Sequence, residues 1–193
     1  MAGEAIALVL TAEDAACRSA AAGLFPGVPL VSLSREGLRP AVPFEGPLFA
    51  LFESRRRDQT IGFVVPVVWT GDAGERPANG DLVPVGDHVG LEGCGPLTGH
   101  WPAGVPRDFP GMTGIYQPSH VRSRRGPRVY SSGIVAAGVA DLRHLSRFEV
   151  RAVHEGGCSI ASDSLVPAAI VAAYYGLRLA ACGLVQAPRS YRE

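Results

Sequence analysis

The run Ile61–Trp69, IGFVVPVVW, constrains the fold of this chain more than any other segment. It is almost continuously apolar and is rich in β-branched and aromatic residues. Its length suits a strand and is far too short for a helix that crosses a membrane. A strand without polar alternation is typical of a sheet that is covered on both faces. The run therefore predicts a buried strand in the central sheet of an α/β domain.

Short apolar segments on both sides of this run predict the other strands. They are Ala5–Leu10, Val28–Ser32, Pro47–Glu53, Leu82–Val85, Val129–Ala136, Phe148–Val153 and Leu177–Val185. Helical patterns alternate with them, which predicts a single α/β domain over residues 1–193 with a largely parallel central sheet. The segment from Gly90 to about Pro127 is rich in glycine and proline and predicts a long functional loop.

Three segments predict helices. The first runs from Thr11, as its N-cap, to about Ala22, and the second is Ala140–Ser146. The clearest helix is Asp163–Tyr175, because Gly176 follows it as a residue suited to the left-handed conformation at a helix end.

The composition excludes several kinds of function. The formal net charge is zero, so no overall field favours nucleic acid or an anionic membrane. The chain contains no lysine, which excludes Schiff-base chemistry and a Walker-type phosphate site. Its cysteines are scattered without metal-finger spacing and are expected to be reduced thiols. An acidic residue precedes the first apolar run, so we expect no signal peptide and a cytoplasmic protein. We also expect no metal and no cofactor.

Three segments carry recognisable motifs in a fixed order. They are NGDLVPVGDHVGLEGCGPLTG at Asn79–Gly99, RDFPGMTGIYQP at Arg107–Pro118 and SDSLVPAAIVAAYYGLRLAACGLV at Ser162–Val185. They are similar to the G-D-L-V…D-H-I-N-L-T-G…N-P-L-x-G, R-F-P-D-M-S-x-x-Y-D and M-S-T-V-P-E-x-x-x-A-R-x-x-G-L-R-V segments of trimeric purine nucleoside and methylthioadenosine phosphorylases. The resemblance covers roughly Gly74–Val185, and the residues before it match only in strand order.

This resemblance implies a mixed α/β fold around a distorted, barrel-like sheet, usually assembled as a homotrimer. It also implies a transferase of purine metabolism that cleaves an N-glycosidic bond, in which phosphate attacks C1′ of the ribose while the purine leaves. Such a site must hold an anion, stabilise an oxocarbenium-like sugar and neutralise charge on the departing base.

For the anion, the resemblance implies an arginine that follows a strand and the serine of M-S-T. The segment FESRRRD stands near the family's Q-G-R-x-H, which places Arg55 and Arg57 at the phosphate, and Ser164 matches the serine. Thr11 is expected to supply a further hydroxyl where the family's glycine-rich G-S-G loop is missing. The alternative for the two arginines is a solvated turn.

For the ribose, the resemblance implies roles for three further residues. His88 matches the histidine of D-H-I-N and is a candidate catalytic residue, with a structural hydrogen bond to the loop as the alternative. Tyr130 matches a tyrosine near the sugar. Phe109 matches the phenylalanine that the family lends across the trimer interface to a neighbour's pocket. The alternative for Tyr130 and Phe109 is that both are aromatic residues of the hydrophobic core.

Base recognition is where the sequence departs from the family. The segment G-P-S-F-E-T-x-A-E becomes GIVAAGVAD, which keeps Gly133 but puts Ala136 and Ala137 where a phenylalanine stacks on the purine and a glutamate binds its edge. The asparagine that bonds the purine N7 falls at Ala187. Gln186 is adjacent and is a candidate substitute, although neighbouring strand residues point to opposite faces.

The chain also lacks parts that the family has. The loop N-A-A-G-G becomes TGDAG, in which Asp72 is expected to repel a phosphate. Only a few residues stand between Glu53 and Ile61 in place of a long helix. Only a few residues follow Val185, so we expect no terminal helix with a ribose-contacting histidine. A pocket without this lid is expected to be wetter, which weakens the electrostatic interactions inside it.

Asp163 stands where the family has methionine beside the ribose. A carboxylate there suits stabilisation of positive charge at C1′ or general-base activation of water, and the alternative is an N-cap of the following helix. The nearby residues His154, Glu155 and Cys158 suggest a nucleophile pair or a metal site, but their spacing fits no strong template.

Two arginine-rich segments, Ser54–Asp58 and Arg122–Arg128, are expected to be solvated loops, with binding of a phosphorylated ligand as the alternative. Two hypotheses about function follow. In the first, the chain is a divergent nucleoside phosphorylase-like enzyme that acts on a purine-type nucleoside or related ligand, with phosphate as co-substrate. In the second, it is a catalytically lapsed or repurposed scaffold that assembles as an oligomer or with a full-length relative. The retained segment around His88 favours the first.

Overall fold

The computed structural model describes residues 6–40, 43–72, 76–93, 95–99, 101–121, 129–130 and 133–186. The strands are β1 (Ile6–Ala12), β2 (Leu30–Leu33), β3 (Thr60–Trp69), β4 (Leu82–Gly90), β5 (Ile134–Gly138), β6 (Ile160–Ser162) and β7 (Arg178–Gln186). The helices are α1 (Ala15–Leu24), α2 (Arg35–Leu38), α3 (Pro47–Glu53), α4 (Arg147–Glu155) and α5 (Leu165–Tyr174). Within these ranges every helix falls short of the length and apolar character that crossing a membrane requires.

Strand β3 organises one mixed sheet. It pairs in parallel with β1 and β7 and antiparallel with β6. The order β3–β6–β5–β4–β7 returns to β3 and closes a barrel, which β1 and β2 extend on one side. The mixed, barrel-like α/β fold is therefore confirmed. The largely parallel sheet expected from strand–helix alternation is also confirmed, because five of the seven strand pairs among the described residues are parallel. The antiparallel pairs β3–β6 and β4–β7 make the sheet mixed.

Both faces of β3 are buried, as its sequence predicts. Ile61, Phe63, Val65 and Val67 belong to the main core, which includes the barrel interior. Val64 points the other way, into a second cluster beneath α1. Apolar residues therefore occupy both sets of alternating positions, because neither face of this strand meets water.

The helices cover the sheet in separate places. Helix α1 packs against β1, β2 and β3, and α3 and α5 contribute their apolar residues to the main core. Helix α4 covers β5 and β6 through a third cluster that contains Val153 and Cys158. Cys17, Cys158 and Cys182 are unpaired and buried.

The carboxyl ends of β1 and β6 meet along one edge of β3. Strand β1 pairs with this edge as far as Val64, whereas β6 runs in the opposite direction and pairs with Val68 and Trp69. Strand β2 ends beside β1, and β4 and β5 end beside β6. Crevices outside the carboxyl ends of oppositely placed strands are where α/β sheets usually bind ligands. The topology therefore directs attention to the loops that follow these strands.

Two predicted strands are wrong, because each is a helix. Pro47–Glu53 forms α3, in which Pro47 occupies the first turn, where its missing N–H is not needed. Leu48 and Phe52 lie one helical turn apart and are both buried. The segment Phe148–Val153 lies inside α4.

The start of α4 explains the second error. Ser146 and Glu149 form a reciprocal capping box, in which each side chain accepts a hydrogen bond from the backbone N–H of the other residue. The predicted helix Ala140–Ser146 is reduced to the short 3-10 turn Leu142–His144, which precedes this cap.

Several predicted boundaries shift. Strand β4 continues to Gly90, so His88 lies within the strand rather than after it. Thr11 lies inside β1, and the N-cap of α1 is Asp14, whose side chain accepts a hydrogen bond of 2.9 Å from the backbone N–H of Cys17.

The predicted strand Val129–Ala136 divides in two. Val129 makes only an isolated bridge to Leu82, and β5 begins at Ile134. The short strand Ile160–Ser162 had no separate sequence signal, because it is brief and stands directly before α5.

We expect Gly183→Ala to lower the free energy of unfolding by about 1–3 kcal/mol, because a Cβ at this barrel position would lie 2.7 Å from both methyl groups of Val67. The matched control is Gly23→Ala in α1, where an added Cβ meets nothing within 4 Å. That change should stabilise the protein by about 0.5–1 kcal/mol. Urea denaturation of both variants measures the difference, and equal effects would contradict the barrel packing.

Candidate functional site

Arg35 lies at the point where the carboxyl ends of the strands converge. It begins α2 directly after β2, and the Ser34 hydroxyl fixes this turn by accepting a 3.1 Å hydrogen bond from the backbone N–H of Gly37. The Nε atom of Arg35 donates to Oδ2 of Asp163 at 2.7 Å. Its Nη2 atom lies 3.3 Å from Oδ1 of Asp141. One guanidinium therefore joins the loop after β5 to the loop after β6.

The backbone carbonyl of Ala140 completes this joint. It accepts a hydrogen bond of 2.9 Å from Nη2 of Arg35 and one of 2.6 Å from Nη1 of Arg39. Arg39 also approaches Glu92, with 3.5 Å between its Nη2 atom and Oε2 of the carboxylate. The site thus alternates basic and acidic groups, and every hydrogen bond of the joint involves a charged donor.

Asp163 is the most buried acid of the Arg35 cluster, with 7% of its side chain exposed. It does not cap α5, so the N-cap alternative for this residue is wrong. The hydroxyl of Ser162 takes that role and accepts hydrogen bonds from the backbone N–H groups of Ser164 and Leu165. The carboxylate of Asp163 is left to Arg35 and to the Ser164 hydroxyl, which donates to Oδ1 at 3.3 Å.

Asp141 is the more exposed acid beside Arg35. Arg143 donates hydrogen bonds to both of its carboxylate oxygens, and Nδ1 of His144 lies 3.1 Å from Oδ2. The bonded Arg143 side chain holds the pKa of Asp141 well below its usual range, and Arg35 adds to this effect. Asp141 is therefore ionised at neutral pH.

The Arg35 cluster opens into a trough. One part, of about 430 Å³, is lined by residues that include Arg35, Arg39 and Glu92. The adjoining part, of about 350 Å³, is lined by Glu92 and by apolar residues of α5 such as Val166 and Ile170. Burial raises the pKa of Glu92, and the nearby Arg39 charge opposes that shift. The trough is large enough for a small planar ligand and has one charged half and one apolar half.

His88 occupies a different environment from the one expected. Its Nδ1 atom lies 2.8 Å from the hydroxyl oxygen of Tyr116, a side-chain partner rather than loop backbone. It stands in register with Ala136 on β5. Burial lowers the pKa of His88, and Asp87 opposes this shift. His88 is therefore neutral at neutral pH and can both donate and accept a hydrogen bond.

The structure places Arg55 and Arg57 away from this cluster. Both follow α3 and precede β3, at the amino end of that strand, whereas Arg35 lies among carboxyl ends. The side chain of Arg57 passes close to Gly176, and Nε of Arg55 is buried without a hydrogen-bond partner among the described residues. A site shared by these arginines and Ser164 is therefore not formed, because opposite ends of β3 separate them.

Three other predicted site residues also lie apart from Arg35. Tyr130 stands beside the first residue of β4, at the opposite end of that strand from His88. Gly133 precedes β5, and an added Cβ there would lie 2.9 Å from the backbone of Gly86. The close approach of these two backbone segments therefore accounts for a glycine at this position. Gln186 ends β7 and lines a groove beside α1.

Thr11 and Ser164 lie at the converging strand ends. Thr11 is fully buried, and its hydroxyl donates to the carbonyl of Ala12 at 3.3 Å. Ala136 and Ala137 are also fully buried, but they lie within β5 and point into the core. The loop that follows β5 begins after them, so these alanines are not the residues that face a ligand.

Arg35 is the residue that sequence reasoning missed. The signal was present in VSLSREG, where a strand is followed by a serine cap and an arginine. The three consecutive arginines Arg55–Arg57 form a more conspicuous pattern in the sequence than the single Arg35. Only the parallel pairing of β1 with β2 shows that the end of β2 reaches the carboxyl end of β1.

The other candidate groups do not assemble into a site. Burial raises the pKa of the Cys158 thiol, which disfavours a nucleophilic thiolate. His154 approaches Asp72 at 3.3 Å on the protein surface. No group of three or more potential metal ligands is present among the residues that the structure describes. Ala187 and the segment Arg122–Arg128 lie outside the described residues.

We expect Asp163→Asn to bind inorganic phosphate at least tenfold more tightly than the unchanged protein. The substitution keeps the shape of the side chain but removes the charge that holds Arg35 at 2.7 Å. The control is Asp58→Asn, which removes an exposed carboxylate at the amino end of β3. Calorimetric titration measures both, and an unchanged phosphate affinity in Asp163→Asn would show that Arg35 is not an anion site.

We also expect stability to depend on the protonation of His88. Burial depresses its pKa in the folded state, so the unfolded chain, with a pKa of about 6.5, binds more protons at mildly acidic pH. The free energy of unfolding should therefore decrease as the pH falls below about 6.5. In His88→Asn, whose amide can bond Tyr116 without titrating, this decrease should be smaller. Urea denaturation between neutral and mildly acidic pH tests this, and parallel curves would contradict it.

Solved structures that match this chain include purine nucleoside phosphorylases. Isoform 2 of the enzyme from Schistosoma mansoni, in complex with cytosine and ribose-1-phosphate, matches with a TM-score of 0.65 and 12% identity over 95% of this chain and 78% of that chain. A schistosoma purine nucleoside phosphorylase in complex with hypoxanthine matches with a TM-score of 0.65 and 13% identity over 98% of this chain and 82% of that chain. No family model and no curated protein matches the sequence. At this identity the comparison establishes the fold, so the chain has the fold of a purine nucleoside phosphorylase.

Proposed function

We propose that this chain is a divergent nucleoside phosphorylase-like enzyme that cleaves the N-glycosidic bond of a purine-type nucleoside or a related ligand. Its reaction centre is the cluster of Arg35, Asp163 and Ser164. The observation that carries the proposal is the 2.7 Å pair between Arg35 and the buried Asp163 at the meeting point of the strand ends. The matching structures add support, because one holds ribose-1-phosphate and cytosine and the other holds hypoxanthine.

The two charges of this pair suit the two ends of the reaction. As the bond between C1′ and the base nitrogen lengthens, the sugar becomes positive, and a carboxylate such as Asp163 stabilises it. The electron pair of the broken bond moves to the base, while an oxygen of phosphate forms the new bond to C1′. Arg35 and the Ser164 hydroxyl are suited to hold the remaining phosphate oxygens.

The free protein keeps this anion site closed. Arg35 is occupied by Asp163, so phosphate must first take the place of that carboxylate. Without such an exchange, Asp163 is placed to act as a general base toward water, and the same bond is then cleaved by hydrolysis. Phosphorolysis and hydrolysis differ in their sugar product, which is ribose 1-phosphate in the first reaction and free ribose in the second.

His88 is proposed to act on the sugar side. Its neutral ring already bonds the hydroxyl of Tyr116, so its second nitrogen remains to contact a ligand hydroxyl. Tyr130, Gly133 and Gln186 remain weaker proposals for ligand contact, because they lie away from the Arg35 cluster.

Self-association also remains a proposal. The side chain of Phe109 is 82% exposed, and its ring centroid lies 6.5 Å from that of Trp101. An aromatic ring held in water in this way suits a residue that covers the pocket of a neighbouring copy. We propose that Phe109 lies at the contact between copies in a homotrimer, the assembly that the family resemblance implies. A cytoplasmic location likewise remains a proposal.

A second candidate function is a lapsed or repurposed binding scaffold. It is favoured by the neutralisation of Arg35 by two carboxylates of the same chain. A site whose positive charge is already satisfied attracts phosphate weakly, as a catalytically idle relative would. In this case the fold would serve as an oligomeric subunit or act on a ligand other than a purine nucleoside.

We expect release of free base when inosine or adenosine is incubated with the protein, measured by liquid chromatography with and without phosphate. Arg35→Ala should reduce the phosphate-dependent rate by at least a hundredfold, as expected for loss of a charged group that binds the reacting anion. Arg55→Ala, at the amino end of β3, should leave it within about twofold of the unchanged protein.

The outcome also separates the two candidate functions. Equal losses in Arg35→Ala and Arg55→Ala would contradict the assignment of the anion site. No base release from either nucleoside, together with unchanged melting in phosphate and ribose 1-phosphate, would favour the scaffold.

A further inference from the structure

Glu92 and Arg39 carry polar atoms that the fold leaves unsatisfied. Oε1 of Glu92 and Nε of Arg39 are both buried, and neither has a hydrogen-bond partner among the described residues. The Glu92 side chain is only 9% exposed. A buried donor or acceptor without a partner is costly, so such groups in a native protein usually serve a ligand or a bound water.

The two residues form a loose ion pair that leaves one polar atom of each without a partner among the described residues. Their closest approach is 3.5 Å, between Nη2 of Arg39 and Oε2 of Glu92, which is long for a charge-assisted hydrogen bond. Nη1 of Arg39 is held by the carbonyl of Ala140 at 2.6 Å, which fixes the guanidinium in this position. The structure thus leaves one donor of Arg39 and one acceptor of Glu92 without a partner, on two side chains that form an ion pair.

Both residues line the same trough, beside the proposed reaction centre. Arg39 and Arg35 bond the same carbonyl oxygen of Ala140, and Asp163 lies close enough to raise the pKa of Glu92. Oε1 of Glu92 lies beside Gly138, where a side-chain Cβ would come within 3.0 Å of it. A Cβ there would also lie 2.7 Å from the side chain of Val166, so only glycine fits between that side chain and the carboxylate.

The walls of the trough suit a flat ligand. Pro96 and Pro167 line both of its parts, and their rings offer apolar surfaces of low flexibility. A heteroaromatic ring between such walls presents only its edge to Arg39 and Glu92. An edge that carries an N–H donor next to an acceptor would satisfy both atoms at once.

We propose that Arg39 and Glu92 form the recognition pair for the edge of the base, and that they select rings with an adjacent hydrogen-bond donor and acceptor. This inference rests on the proposed function, because it places the base in the trough beside Arg35 and Asp163. It supplies the polar contacts to the base that neither Ala136 nor Ala137 can make, since both are buried within β5. Glu92 accepts from the N–H of the base, and Arg39 donates to the neighbouring acceptor.

The test measures equilibrium binding of three bases that are methylated at N9, the position of the sugar, by dialysis at pH 7. 9-Methylhypoxanthine and 9-methyladenine each present a donor beside an acceptor, whereas 9-methylpurine has no N–H donor. The unchanged protein should bind 9-methylhypoxanthine and 9-methyladenine at least tenfold more tightly than 9-methylpurine. Glu92→Gln keeps the side-chain volume and should reduce this ratio to less than threefold. The matched control, Glu155→Gln, changes an exposed carboxylate of α4 and should leave the ratio unchanged.

Arg39→Gln provides an independent variant and should reduce the same ratio. Equal binding of the three bases, or a ratio that Glu92→Gln and Arg39→Gln leave intact, would overturn the proposal. Undetectable binding of all three bases at millimolar concentration would also overturn it. The nucleoside cleavage assay tests the proposed function separately, because Glu92→Gln leaves Arg35, Asp163 and Ser164 in place. Base release with unselective binding would therefore retain the enzyme and reject this recognition pair.

Discussion

Two strands, β1 and β6, pair with the same edge of β3, and the rest of the structure depends on this constraint. Strand β1 pairs in parallel with the amino-terminal half of that edge, and β6 pairs antiparallel with its carboxyl end. Their carboxyl ends must therefore face each other, and the loops after β2, β4 and β5 are brought to the same place. This arrangement requires a strand that is apolar on both faces, because helices and barrel interior enclose it. The residues of β3 meet that requirement along its whole length.

The charged residues at the meeting point show how a buried polar site is tolerated. Arg35 joins Asp163 and Asp141, and hydrogen bonds to the carbonyl of Ala140 position both Arg35 and Arg39. Burial of several charges is favourable only when they are paired and hydrogen-bonded, which holds for most of this cluster. The exceptions are the buried atoms of Arg39 and Glu92. Buried polar atoms without a partner do not stabilise the fold, so ligand recognition is expected where they occur.

Sequence patterns predicted long, strongly apolar elements well and short or local ones poorly. The strand β3 and the helix α5 follow from hydrophobic runs bounded by turn residues. Pro47–Glu53 was misread, because seven residues are too few to distinguish a strand from a helix by periodicity. Ser164 and Asp163 lie together, with a hydrogen bond of 3.3 Å between their side chains, since they are adjacent in the chain. Arg55 was wrongly joined to them, because the match relied on local similarity and not on which end of a strand an arginine occupies.

The sequence by itself determined the fold class and the buried strand at its centre, and its motifs predicted a phosphorylase-like fold, because these depend on hydrophobic patterns and on contiguous motifs. Only the tertiary structure decided which arginine meets Asp163 and which residues line the trough. Arg35 and Asp163 are separated by most of the chain, and the 2.7 Å contact between them arises from strand pairing. Pairing direction and register are cooperative properties of the whole sheet, so no local pattern in the sequence encodes them.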